Sequence, residues 1–168
     1  MSIFTKNPPY LGLFIIALIV SLSFWGGCAL SATLPDAKLT PGATRIVDVK
    51  TLCTTSTSLV RNVPSSEKEV VYSQYGLQAN YTGYCKGSGG CEVDHLISLE
   101  LGGSNDVKNL WPQPYFGPCN AHQKDALENK FHKLICGNNM SVQAAQLAIS
   151  TNWIQAYSKY VDVKGCNF

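Results

Sequence analysis

The sequence predicts one α+β domain, a short β-hairpin with helices on both sides, stapled by disulfides. Three observations lead there. Residues 92–101 are rich in leucine and β-branched side chains, Gly102-Gly103 turns the chain, and Asn109-Leu110-Trp111 opens a second apolar stretch. Residues 121–135 and 141–160 carry apolar side chains at helical spacing. Seven cysteines occur in 168 residues, six of them beyond the leader, enough for three bridges.

The elements follow in chain order. Residues 11–25 are uncharged and apolar, with Lys6 ahead of them and small residues (Gly26, Gly27, Ala29, Ser31, Ala32) behind. That pattern predicts a signal peptide over 1–31, and the run is short for a bilayer span. Cys28 lies in the leader and offers a minority reading as a lipidated first residue, although Trp25-Gly26-Gly27 matches that pattern poorly. The mature domain then spans 32–168. Residues 33–65 read as extended or irregular, with one or two short strands around 45–52 and a turn at Pro41-Gly42. Ser66-Glu67-Lys68-Glu69 fits a capping box that opens a short helix to Tyr75, stopped by Gly76. Residues 80–90 form a polar, glycine-rich loop.

The first strand is expected over 92–101, the turn over 102–106, and a second strand from Asn109, held to a sheet edge by Pro112 and Pro114. Phe116-Gly117-Pro118 breaks the chain before a helix over 121–135. Its expected apolar face is Ala126, Leu127, Phe131, Leu134 and Ile135, with Gly137 as the stop. A last helix runs over 141–160 with Val142, Ala145, Ile149, Trp153 and Tyr157 on one face, read as core.

Cysteine usage points to an oxidising compartment, secreted or periplasmic. No Cys-x-x-Cys pair exists, so the cysteines read as structural. Cys119 and Cys136 flank the predicted helix and would stand about 20 Å or more apart, which excludes their pairing. The expected bridges are Cys53 with Cys136, Cys119 with Cys166, and Cys85 with Cys91. Thirteen basic and eleven acidic residues give a net charge of +2. This excludes the broad basic footprint of most nucleic-acid-binding domains, so any such binding must be local.

The chemistry gathers in residues 92–112. Asp94 offers a carboxylate to a hard metal ion, and His95 a base titrating near neutral pH. Asn109 offers an amide that can pin backbone or imidazole. Neighbouring side chains on a regular strand face opposite ways, so Asp94 and His95 can share a site only if the strand bends, bulges or ends there, and a local irregularity is expected at 93–96. Asn105 and Asp106 read as turn chemistry, and His122 and His132 as solvated helix residues.

Asp94-His95, Gly102-Gly103 and Asn109-Leu110, in this order and spacing, resemble the HNH branch of the His-Me finger (ββα-metal) endonucleases over roughly residues 92–133. Tyr75-Gly76, Leu110-Trp111-Pro112-Gln113 and Lys124-Asp125-x-Leu-Glu128 are similar to a subgroup of small exported bacterial proteins related to that family. The resemblance implies a ββα-metal core and one divalent ion (Mg, Mn, Ni or Zn) bound through Asp94. It makes His95 the general base that activates water, with Asn109 bracing the loop, and the products a 5′ phosphate and a 3′ hydroxyl.

The family's usual third position, a His or Asn early in the helix, falls on Ala121 when Lys124 is aligned with the family lysine. Asn120 is the first substitute; Glu128, Asp125 and His122 are alternatives. Lys124 reads equally as a phosphate contact or as a surface lysine. The function expected is therefore an exported, metal-dependent endonuclease of slight sequence preference, on DNA ahead of RNA. The rival is a non-catalytic envelope protein that keeps the scaffold as a binding module.

Overall fold

The computed structural model describes residues 34–77 and 90–166. The leader, Cys28, Cys85 and most of the glycine-rich loop lie outside them. The described fold is mixed α/β. It comprises α1 (Val49–Thr54), α2 (Ser65–Gln74), β1 (Cys91–His95), β2 (Leu110–Pro114), α3 (Ala121–Cys136) and α4 (Val142–Tyr160). Single 3-10 turns lie at Thr57–Leu59, Leu99–Leu101 and Val107–Asn109.

The two strands pair antiparallel, from Cys91 opposite Pro114 to His95 opposite Leu110. The first strand is half the expected length. After His95 the chain leaves the ladder, because the Asn109 side chain, rather than a neighbouring strand, takes both the N–H and the C=O of Ile97 (2.9 Å each). Within the window 93–96 no bulge interrupts the register from Cys91 to His95; the strand instead ends at His95. Side chains therefore alternate, with Cys91, Val93 and His95 buried on one face and Glu92 and Asp94 on the other. The first face, with Leu110, packs on Val71 and Tyr72 of α2. On the second, Trp111 joins the core of α3 and α4.

No strand forms over 45–52. Thr44 makes a single bridge to Gly103, and α1 begins at Val49. Asp48 caps it, accepting the Thr51 N–H at 2.9 Å; a cap of this kind stabilises a helix by about 1 kcal/mol. Leu52 is buried beneath it. These local bonds outweigh the β preference of Ile46, Val47 and Val49. The capping box at Ser66 is likewise absent. Here α2 starts one residue earlier, behind Pro64, with no side-chain cap, which leaves Ser66 inside the first turn. Gly76 (φ +67°) ends it as expected.

α3 and α4 form the main layer. Leu127, Phe131 and Ile135 face Ala145, Ile149 and Trp153, all buried; full burial of a large apolar side chain contributes about 1.5–3 kcal/mol before entropy is charged against it. Ala126, expected in this face, is exposed, and Lys124 and Glu128 are buried instead. α4 breaks at Asn152 (φ −164°, ψ 91°), whose side chain then accepts the Gln155 N–H and caps the second half.

Two disulfides fasten α3. Cys53–Cys136 (Cα–Cα 5.7 Å) ties its last residue to α1, and Cys119–Cys166 (5.0 Å) ties its approach to the C-terminal segment. Both are expected pairings, and they fit an oxidising environment. Cys91 is also disulfide-bonded; its expected partner, Cys85, lies outside the described residues. Among the described residues no helix is long and apolar enough to cross a membrane.

Candidate functional site

The site is organised around the loop that joins the strands. Asn109 is fully buried, and its amide makes three bonds: Oδ1 accepts from Ile97 N–H (2.9 Å), and Nδ2 donates to Ile97 O (2.9 Å) and Ser104 O (2.8 Å). The expected bracing is thus present, and it acts on backbone rather than on the imidazole. Glycine at 103 is required by it. A Cβ there would stand 1.7 Å from Ile97 O and 2.8 Å from Asn109 Nδ2.

Asn105 contacts the imidazole instead, a residue whose spacing suggested only a turn. Its Nδ2 donates to Val60 O (2.8 Å), and its Oδ1 accepts the Asn62 N–H (3.2 Å). The amide orientation is therefore fixed, and His95 Nε2, 3.1 Å from the same Oδ1, must carry the proton. Nδ1 is left with its lone pair, buried and without a partner among the described residues. Burial holds the His95 pKa below its ordinary value, with the Asn105 bond and the Asp94 charge only partly offsetting it. A neutral ring in this tautomer is the form a general base needs.

Asp94, on the opposite face, meets α3. The Lys124 ammonium, with its side chain fully buried, donates to Asp94 Oδ2 (2.7 Å), His95 O (2.6 Å) and Glu128 Oε1. Burial alone would raise the Asp94 carboxyl and lower the Lys124 ammonium; their mutual attraction reverses both shifts, so each is firmly charged. Glu128 goes the other way. Burial, then the charges of Asp94 and Asp125 working against Lys124, push it up to about 8. Glu92, Glu100 and Asp125 are raised as well, each first by burial. In each of these the charge of Asp94 or Asp125 adds to the rise.

Arg61, exposed, acts electrostatically on both His95 and Asp125. It lines a cavity of about 210 Å³ with Ser98, Glu100, Asp125 and Glu128. Two larger clefts, one along α4 and one beside residues 138–143, hold no acid–base cluster.

The expected metal ligands are only partly assembled. Asn120 is turned away: its Oδ1 caps α3 at His122 N–H (2.9 Å), and its Nδ2 donates to Gly117 O (3.1 Å). Asp125 is at the cavity rim, while Asp94 and Glu128 are joined through Lys124. Carboxylate oxygens suit a hard ion by chemistry, but as arranged they do not fit one. Among the described residues no three acidic or imidazole donors of this site converge within 4.8 Å, and an ammonium stands between the nearest two. Lys124 is thus not presented at the surface. Its burial was legible in the helix, since Ala121, Lys124, Glu128, Phe131 and Ile135 share one stripe.

One group does converge. The donor atoms of Cys53, His132 and Cys136 lie within 4.8 Å of one another and could hold a metal ion. Here the two sulfurs are joined to each other, and His132 Nε2 is 3.2 Å from Leu52 O. No protein-family model matches this chain, and no curated protein or solved structure is significantly similar to it.

Proposed function

We propose that this is an exported phosphodiester hydrolase, an endonuclease of the HNH type acting on DNA ahead of RNA. The observation that carries the reading is the His95 imidazole, locked by Asn105 as the Nε2–H tautomer with the Nδ1 lone pair unpartnered. Nδ1 takes the proton of the attacking water. Arg61, which lines the cavity and acts electrostatically on His95, receives the phosphate. Asn109 and Gly103 keep the loop shaped so that His95 stays at the strand end. The divalent ion implied by the resemblance has no assembled set of ligands here, so no step is assigned to it. Signal-like residues 1–31 and the two disulfides support export.

The test is plasmid nicking by oxidised protein, with magnesium, manganese or nickel and with chelator. Wild type should nick, and His95→Ala should not. Arg61→Ala should weaken substrate binding more than turnover. Equal nicking by His95→Ala would end the proposal.

A second reading, a non-catalytic scaffold serving as a binding module, is favoured by two facts. His95 is only 1% exposed, and Lys124 answers Asp94 internally. Absence of nicking under every ion, with binding of oligonucleotide or another partner retained, would select it.

A further inference from the structure

We infer that the Lys124 ammonium is the resident cation of this site, standing where a divalent ion would otherwise bridge Asp94 and Glu128, so that the folded chain takes up no divalent ion at Asp94. The inference rests on the proposed reading only for the place at which an ion would be expected.

Three features carry it. An ammonium has three protons, and here each has an oxygen: Asp94 Oδ2, His95 O and Glu128 Oε1. Its coordination is complete without water, and its side chain has no exposed surface. The lysine is also held from its own helix. It faces inward on the stripe that continues through Leu127 and Phe131, one turn before Glu128. Finally, Asn120, the first substitute expected from the sequence for the third ligand, has both amide atoms engaged in the cap and the preceding turn.

An entering ion would have to expel the ammonium from a closed pocket, and the displaced charge would need a new partner. The bond to His95 O matters most for function. Through it the cation grips the backbone of the candidate base as well as the neighbouring carboxylate. A metal ion would act on Asp94 from outside the chain, whereas Lys124 makes the pairing of strand and helix part of the fold.

The test is ion binding. Wild type, Asp94→Asn and Lys124→Ala, all with disulfides intact, are titrated with Mn²⁺ alone, and free Mn²⁺ is followed by electron paramagnetic resonance. Wild type should show no site that Asp94→Asn removes. Lys124→Ala should gain one site per chain, lost again when Asp94→Asn is added. A wild-type site abolished by Asp94→Asn would overturn the inference, as would a folded Lys124→Ala protein that gains none. If Lys124→Ala does not fold, the comparison of wild type with Asp94→Asn still decides. Because binding is read rather than cleavage, a chain that never nicks DNA sinks the proposed activity and leaves this result standing.

Discussion

The inner face of α3 is continuous, yet its two halves bury opposite kinds of group. Toward the C-terminus Phe131 and Ile135 enter an apolar core with Ile149 and Trp153; toward the N-terminus Lys124 and Glu128 enter an ion cluster with Asp94. The apolar half gains from area removed from water, which tolerates many side chains of similar volume. The charged half holds only while every partner is present, and well-packed hydrocarbon would often be no less stable. Charge kept at such a position, beside His95, suggests a task other than holding the fold.

The sharpest test sets one half against the other. Phe131→Ala leaves a cavity and should cost about 3–5 kcal/mol, and Lys124→Ala strands the buried Asp94 carboxylate at a similar cost of about 3–5 kcal/mol. Urea denaturation at two pH values separates them. In acid, where Asp94 takes up its proton, the Lys124→Ala deficit should shrink, while the Phe131→Ala deficit stays constant. Two flat deficits would erase the distinction.

Next in size is the staple at the apolar end. Replacing Cys53 and Cys136 together by serine should cost about 2–5 kcal/mol. Amide exchange should then speed up around the last turn of α3 and in α1, and much less near Lys124.

Glu128 gives a smaller effect with a definite sign. Its folded pKa, about 8, lies above the ordinary 4.5, so the folded chain binds its proton more tightly than the unfolded one. That contribution is full below 4.5 and is lost as pH rises toward about 8. Glu128→Gln should remove this decline, and melting temperatures across the window measure it. Smallest is Asn105→Ala, about 1 kcal/mol. Since the Asn105 bond raises the His95 pKa, its loss should move the titration further down. Ring nitrogen shifts in NMR should show the Nε2–H tautomer no longer enforced.

What could be read from the sequence was what local periodicity and covalent reach determine. α3 and α4 declare themselves through apolar spacing, and the length of α3 alone separates Cys119 from Cys136. Asn109 and the glycine pair stand next to the strands they shape. By contrast, Asn105 works through Val60 and Asn62, more than forty positions away, and no short-range pattern marks such a bond. α1 was hidden because six residues are too few to show a period, and its β-branched members argue for strand. Lys124 was misplaced for another reason: a charged residue invites a surface reading even when its helical position points inward.

With a covalent rivet at each end, α3 can neither slide along its axis nor roll against α1 and the C-terminal segment. Among the described elements, residues 57–62 are joined to the imidazole through one carboxamide, Asn105, which holds Val60, Asn62 and His95 together. Cutting that single side chain back would release the ring and the 57–62 segment in one step, while the riveted helix stayed where it is.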